Sequence, residues 1–309
     1  MQKTQQFLDF KAPCGELIRF PVGRIVGDAP GPHFVITAGV HGAEYPGIAA
    51  AMTLFQMLEP EMVKGQVTIV TISSLEAFQK RSIFICPFDG KNPNRVFPGK
   101  LDGTYTDALA YYLFNEIIRH GDYYLDLHGG DMVEALLPFS IYHTGSEVDE
   151  RSRELAEYYL LPNIIATSSG GTWDDSGTTY SNAAKLGIPA AIVESGGIGQ
   201  MDQASIDEHM RGLINVLRHY NVLDGPVTKP DNTVFYRDFL WLYTPKGGVF
   251  HHMVDVGESV KAGQTAGIVK DYFGNQLTEI LVPEDSRVLF RTTSPAVAEN
   301  GLLYGLGVQ

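Results

Sequence analysis

His41 and Glu44 are the first residues in the chain whose types and spacing indicate a catalytic site. They lie three positions apart in the segment His-Gly-Ala-Glu. A tight turn can direct both side chains to one point, although such a pair alone is also typical of a solvated turn. His128 follows the segment Tyr-Leu-Asp-Leu, and Glu194 follows Ala-Ile-Val. Two imidazoles and one carboxylate with a fourth position open are the usual ligands of catalytic zinc. The spacing therefore favours a zinc site.

Glu194 and Asp126 are candidates for supporting roles in such a site. A carboxylate at the end of a buried strand is costly unless it is paired or functional, and burial raises its pKa toward the range of a general base. An ion pair at the strand end is the structural alternative for Glu194. Asp126 lies two residues before His128. It could orient a site histidine, because a ligating imidazole commonly donates its second N–H to a carboxylate, or it could serve as a structural cap.

A long loop adds a candidate for substrate binding. Residues 73–105 are rich in proline and glycine and predict an irregular segment, and long ordered loops are often functional. The loop carries Asn94 and Arg95. A guanidinium binds a carboxylate through two parallel hydrogen bonds, and Asn94 could add a neutral donor. The structural alternative is an arginine that stabilises the loop.

The alternation of strands and helices predicts how these residues are positioned. Strands are expected at about 33–38, 66–72, 122–127, 138–142, 163–166 and 188–193, and helices at about 46–58, 106–119, 147–159, 178–186 and 206–219. This order predicts an α/β fold with a largely parallel or mixed sheet. Functional sites of such sheets gather at the carboxyl ends of strands. His41, His128 and Glu194 all lie at or just after predicted strand ends.

After residue 228 the pattern changes to short β-type segments separated by glycines. We expect a catalytic domain over residues 1–228 and a small all-β, barrel-like domain over 229–309. The segment 256–264, Val-Gly-Glu-Ser-Val-Lys-Ala-Gly-Gln, resembles the turns of biotinyl and lipoyl domains. Lys270 lacks the surroundings of a modified lysine, so a structural role is favoured over a carrier role.

Composition excludes several classes of protein. The 309 residues are 44% hydrophobic and 19% charged, so a sizeable core can form. A net charge of −13 argues against nucleic acid or an anionic membrane as a partner. Cys14 and Cys86 predict free thiols. The sequence shows no secretory signal and no membrane-spanning run, which favours a cytoplasmic protein.

The motifs together resemble the succinylglutamate desuccinylase/aspartoacylase family of the wider zinc carboxypeptidase-like superfamily. The resemblance rests on His41-Gly-Ala-Glu44, Asn94-Arg95, Asp126-Leu-His128 and Glu194 and covers most of residues 25–220. The loop with Asp-Gly-Lys-Asn and Asn-Arg-Val-Phe-Pro-Gly looks closest to the bacterial N-acetyl-diaminobutyrate deacetylase branch. The resemblance implies a zinc carboxypeptidase-like mixed sheet flanked by helices, one Zn²⁺ per chain and the metal ligands His41, Glu44 and His128.

The resemblance also implies roles for the remaining residues. Glu194 would be the general base and acid, and Asn94 and Arg95 would bind the substrate carboxylate. The family usually has a further arginine that polarises the scissile carbonyl, but Pro87 occupies the expected position, seven residues before Asn94. Arg81, the nearest upstream arginine, is the candidate for this role, and a solvated loop residue is the alternative. Pro93 also replaces the leucine expected before Asn94.

We therefore expect a zinc-dependent amidohydrolase that cleaves a small N-acyl amino acid with a water activated by the metal. The alternatives are a metallocarboxypeptidase acting on peptides and a catalytically silent binding protein. The β-domain is expected to narrow the mouth of the site, which favours small substrates. The oligomeric state stays open, and a homo-oligomer is compatible with the sequence.

Overall fold

The computed structural model describes all residues from 1 to 309. It begins with an antiparallel hairpin of β1 (Gln2–Lys11) and β2 (Leu17–Val26), which the sequence analysis did not predict. Strand β1 is an edge strand with few buried side chains, so its sequence lacks the apolar alternation of a half-buried strand. In β2 the side chains of Ile18, Phe20 and Val22 are buried, because this strand also pairs with the interior of the sheet.

The hairpin is part of a nine-stranded mixed sheet. Its other strands are β3 (Ala29–Ala38), β4 (Lys64–Val70), β5 (Tyr123–His128), β7 (Phe139–His143), β8 (Asn163–Thr167), β9 (Ala190–Glu194) and β10 (Val234–Tyr236), and β6 (Glu134–Leu136) lies outside it. The order is β1-β2-β4-β3-β5-β9-β7-β8-β10. Strands β4, β3, β5 and β9 are parallel neighbours, whereas β7 runs antiparallel to β9. The centre of the sheet thus has several strand ends at one edge.

Six helices accompany the strands: α1 (Tyr45–Met57), α2 (Leu75–Lys80), α3 (Tyr105–Glu116), α4 (Asp149–Tyr158), α5 (Thr179–Lys185) and α6 (Gln203–His219). Two hydrophobic cores cover the two faces of the sheet. Residues of α1, α4 and α6 belong to one core, and residues of α3 and α5 belong to the other. Successive side chains of β3 point to opposite faces of the sheet: Phe34 and Ile36 pack in one core and Val35 packs in the other. None of these helices combines the length and the apolar character needed to cross a membrane.

The C-terminal region is entirely β. Its strands are β11 (Asp238–Tyr243), β12 (Gly248–His252), β13 (Ser259–Val260), β14 (Thr265–Lys270), β15 (Gln276–Leu281), β16 (Ser286–Thr292), β17 (Ala296–Val297) and β18 (Leu302–Val308). They form one sheet of order β11-β18-β16-β13 and another of order β15-β14-β12-β17. Strand β6 pairs with β16, and β10 pairs with β8. Strand β6 of the catalytic region thus extends a C-terminal sheet, and β10, which directly precedes the C-terminal strands, extends the nine-stranded sheet.

The predicted fold class is confirmed: a mixed sheet flanked by helices precedes an antiparallel C-terminal region. Each predicted helix appears within a few residues of its expected bounds. The predicted irregular loop over residues 73–105 contains the six-residue helix α2, which the sequence analysis did not predict. A helix of that length has too few turns to show a hydrophobic period.

Candidate active site

Three adjacent parallel strands bring the predicted residues to one edge of the sheet. The register pairs Ala38 with Leu127 on β3 and β5, and it pairs His128 with Glu194 on β5 and β9. His41 follows three residues after the end of β3. Glu44 immediately precedes α1, whose first turn contains Pro46, and its side chain makes no capping hydrogen bond with the helix. The rigid elements on both sides therefore hold this turn in place.

The side chains of His41, Glu44 and His128 meet around the carboxylate. Nδ1 of His41 lies 2.7 Å from Oε1 of Glu44, and Nδ1 of His128 lies 2.8 Å from Oε2. One ligand atom from each of the three residues lies within 4.8 Å of the others. Ligand atoms around a tetrahedral zinc ion with bonds of about 2.1 Å lie roughly 3.4 Å apart, so small rotations of the side chains would suffice to bind the ion.

The charges of this cluster also suit a divalent cation. Burial would raise the pKa of the Glu44 carboxyl, but His128 and His41 lower it to about 2. Burial opposes a charged imidazole at His128, yet the carboxylates of Glu44 and Asp126 raise its pKa well above the usual value. Once deprotonated, the imidazole nitrogens and carboxylate oxygens of this cluster direct their lone pairs to one point, where a cation would satisfy them.

Asn92 orients the first of the two histidines. Its Oδ1 lies 3.0 Å from Nε2 of His41 and also accepts the backbone N–H of Asn94 at 2.8 Å. With Nε2 held by an oxygen acceptor, the imidazole carries its proton there and presents the Nδ1 lone pair toward Glu44. The sequence analysis did not assign a role to Asn92. The sequence feature that could have indicated this role is its position two residues before Asn94.

Asp126 lies behind the second histidine. Its Oδ2 is 3.0 Å from Nε2 of His128, although the two atoms are not aligned well enough for a hydrogen bond. The hydroxyls of Thr37 and Thr179 each donate to the carboxylate at 2.6 Å. All these side chains are buried. Asp126 is thus a fixed negative charge next to the imidazole, in the position expected for an orienting residue.

Glu194 is the last residue of β9 and lies between His128 on β5 and Phe139 on β7. Its side chain is partly buried and lines the cavity in front of the sheet. Burial raises the pKa of the Glu194 carboxyl well above its usual value, and the carboxylates of Glu44 and Glu134 raise it further, against the opposing effect of His128. A carboxylate with a raised pKa is a stronger base, as proton abstraction from water requires.

Asn94 and Arg95 line the same cavity. Oδ1 of Asn94 accepts the backbone N–H of Thr179 at 2.9 Å, which leaves its NH₂ group for a ligand. Nη1 of Arg95 donates to the backbone oxygen of Asn94 at 2.7 Å, and the remaining guanidinium N–H groups carry no partner. Arg95 is the only lysine or arginine side chain in the cavity wall. It is therefore the natural group to bind an anionic part of a ligand.

The structure does not bring Arg81 to this site. The residue ends α2 in the left-handed conformation with φ of 53°, and its side chain is exposed and does not line the cavity. Because of the way α2 ends, the Arg81 side chain is exposed to solvent. The position of the residue in the sequence could not reveal this exposure. The expected role of Arg81 in polarising a carbonyl consequently has no geometric support.

The cavity has a volume of about 490 Å³ and combines both regions of the chain. The C-terminal sheets contribute Trp241, Tyr243, Phe290 and Leu302 to its wall, and Trp173 enters from the loop before α5. The sequence analysis also missed Glu134, a cavity carboxylate on β6. The only sequence feature that could have indicated a place for Glu134 in the cavity is its position six residues after His128. The C-terminal region thus forms part of the cavity wall in front of His41, Glu44 and His128.

Comparison with known proteins agrees with this arrangement. The family model described as the succinylglutamate desuccinylase/aspartoacylase catalytic domain matches residues 30–220, which include all the site residues on the central strands. The chain belongs to this family. The resemblance inferred from the motifs is therefore confirmed. The N-alpha-acetyl-L-2,4-diaminobutyric acid deacetylase of Halomonas elongata is 30% identical over 255 residues, which cover 80% of this chain and 73% of that protein.

Solved structures of this desuccinylase/aspartoacylase family share the fold along the whole chain. The product-bound ectoine utilization protein EutE (DoeB) from Ruegeria pomeroyi has a TM-score of 0.88 at 23% identity and covers 100% of this chain and 95% of its own. A succinylglutamate desuccinylase/aspartoacylase from Rhodobacter sphaeroides has a TM-score of 0.85 at 24% identity and covers 98% and 94%. The match includes the C-terminal β region.

Proposed function

We propose that this protein is a zinc-dependent amidohydrolase that removes the acyl group of a small N-acyl amino acid. The observation that carries the proposal is the meeting of two histidine Nδ1 atoms on one buried carboxylate, with a second carboxylate on the adjacent strand. His41, Glu44 and His128 would hold one zinc ion. Membership of the desuccinylase/aspartoacylase family supports an enzyme that hydrolyses an amide bond.

Zinc bound to these ligands would supply a Lewis acid for the amide carbonyl and would lower the pKa of water. Glu194 would accept the proton of the attacking water, because its carboxylate reaches the cavity beside His128. The same carboxyl would then donate that proton to the leaving nitrogen, which yields a carboxylic acid and a free amine. The raised pKa of Glu194 suits both steps, since it must gain and lose a proton in one turnover.

Arg95 and Asn94 would orient the substrate. Their donors face the cavity from the loop before α3, so a substrate carboxylate bound there would fix the position of the amide. The relative from Halomonas elongata, named for a deacetylase, supports an acetylated amino acid as the first substrate to test. A cavity of about 490 Å³ with walls from the C-terminal sheets favours such a small molecule over a peptide.

A hydrolysis screen tests the proposal directly. Zinc-loaded protein should release amine from at least one acetyl or succinyl amino acid, and a chelator should stop the reaction. Preferential cleavage of peptides would instead indicate a carboxypeptidase. Absence of both hydrolysis and bound metal would favour a silent binding protein.

Variants test the assigned residues. Glu194→Gln should lower kcat by about 10²–10⁴-fold while the zinc content stays normal. Glu44→Ala and His128→Ala should each deplete zinc measured by atomic absorption, whereas His251→Ala, an exposed histidine of the C-terminal sheet, should not. Near-normal turnover by Glu194→Gln would refute the assigned base. Equal zinc content in all variants would refute the ligand set.

A further inference from the structure

The outer edge of β1 is a long strand edge with no other strand paired to it. β1 is the terminal strand of the nine-stranded sheet, and it pairs with β2 over ten residues without a bulge. It also lacks proline. Bulges, prolines and covering segments commonly protect such edges, because the free N–H and C=O groups of an edge can pair with another strand. No cavity residue lies on β1 or β2, so this edge is a candidate interaction surface away from the proposed active site.

One face of β1 carries an exposed aromatic ring together with charges of both signs. Lys3, Phe7 and Asp9 share this face because side chains alternate along a strand. Lys3 donates to Glu59, which lies just after α1, at 2.8 Å. Arg19 on β2 donates to Asp9 at 2.6 Å. Phe7 is 57% exposed. Charges of one sign would repel a second strand, whereas this mixture of signs can complement one.

A groove opens beside Phe7 on the same face of the sheet. Its wall includes Gln5 and Phe7 on β1, Pro21 on β2 and Phe55 on α1, and its volume is about 280 Å³. Each copy of the chain therefore has a protruding aromatic side chain with a groove next to it. A surface that carries both elements can be self-complementary, as the isologous interface of a symmetric dimer requires.

Symmetry restricts how two copies of β1 can pair. Antiparallel pairing of identical strands places a two-fold axis perpendicular to the sheet, so α1 of both copies lies on the same face. Lys3 must then face an odd-numbered residue of the second copy, because the even-numbered side chains point to the other face. An axis at Phe7 would place Lys3 opposite Lys11 of the second copy, and like charges repel. An axis at Gln6 places Lys3 opposite Asp9 instead.

We propose that β1 joins two copies of this chain in an antiparallel pair centred on Gln6, which continues the nine-stranded sheet from one copy into the other. Lys3 of each copy then lies between Glu59 of its own chain and Asp9 of the second copy, which also binds Arg19. The result is a row of four alternating charges on each side of the axis. Such a network stabilises an interface more than isolated surface ion pairs do. The inference does not depend on the proposed hydrolysis.

Phe7 adds an apolar contact in the same register. It faces Gln5 of the second copy, which forms part of the groove wall, so its ring lies at the groove that includes Phe55. The two-fold axis makes this contact reciprocal. Burial of two exposed rings adds a hydrophobic contribution to the hydrogen bonds between the two strands.

Sedimentation velocity on the full chain at micromolar concentrations tests the dimer, and two charge variants test its register. The wild type should sediment with twice the mass of one chain. Lys3→Glu places an acid opposite Asp9, and Asp9→Lys places a lysine opposite Lys3. Each variant alone should raise the dimer Kd by about tenfold or more, because two attractive pairs become repulsive. An equal mixture of the two variants should recover the dimer, because every pair that crosses the heterodimer interface is then attractive.

Two further variants complete the experiment. Phe7→Ser should weaken the dimer, whereas Lys11→Glu reverses a charge on the same strand outside the matched pairs and should leave the dimer intact. Circular dichroism checks that each variant is folded. A wild type that stays monomeric would overturn the inference and would favour an extended segment of a different protein at this edge. A dimer that persists in both charge variants, or a mixture that stays monomeric, would also overturn it.

Discussion

Replacement of Asp126 by asparagine tests whether this carboxylate orients His128, a proposed metal ligand, without binding the metal itself. The carboxylate does not belong to the ligand set, but it lies 3.0 Å from Nε2 of His128 and is held by the hydroxyls of Thr37 and Thr179 at 2.6 Å. Asparagine has nearly the same shape and removes the charge. The variant should therefore keep the fold and weaken the metal site.

The magnitude follows from these contacts. Loss of an orienting carboxylate behind a ligating histidine lowers metal affinity by about 10–100-fold, or about 1.4–2.8 kcal/mol. The two hydroxyl bonds to a charged acceptor become bonds to a neutral one, which costs about 1 kcal/mol each. We therefore expect Asp126→Asn to lower the free energy of unfolding of the metal-free protein by about 2 kcal/mol as well.

Two measurements separate these effects. Competition with a chromophoric chelator measures zinc affinity, and urea unfolding after chelation measures stability without metal. Asp175→Asn is the matched control, because Asp175 is also buried and lies 2.7 Å from Nδ1 of a histidine, His143, outside the metal cluster. The control should lose stability but keep its zinc affinity. Zinc affinity of Asp126→Asn within twofold of the wild type would refute the assigned orienting role.

Three further predictions concern other parts of the structure. Burial lowers the pKa of His209 from 6.5 to about 4, so its stabilising effect should be full above pH 6.5 and should fall by about 3 kcal/mol as the pH decreases to 4; His209→Gln should flatten this dependence in urea unfolding. Gly177→Ala would place a Cβ 2.2 Å from the backbone oxygen of Arg95, so KM should rise while zinc content stays constant; an unchanged KM would contradict the loop's role in binding. Asn92→Ala removes the acceptor at Nε2 of His41 and should weaken zinc binding about tenfold by the same chelator assay.

Local pattern was sufficient for much of the fold. The near-continuous apolar segment before Glu194 indicates a strand buried on both faces, and such strands need helices on each side. The predicted helices follow from periodicity and end signals that lie within each segment. The hairpin at the N-terminus could not be predicted in this way, because β1 is an exposed edge strand that is stabilised by pairing with β2 rather than by its own pattern.

The sequence by itself determined the candidate metal ligands, since His41, Glu44 and His128 follow strand ends that a parallel sheet must bring to one edge. Tertiary structure alone decided which other side chains reach that edge. Arg81 does not line the cavity because α2 ends with the residue exposed, whereas Glu134 lines it because β6 leaves the sheet of the catalytic region to pair with β16. The physical reason is that both outcomes depend on contacts between segments far apart in the chain, and no local spacing records such contacts.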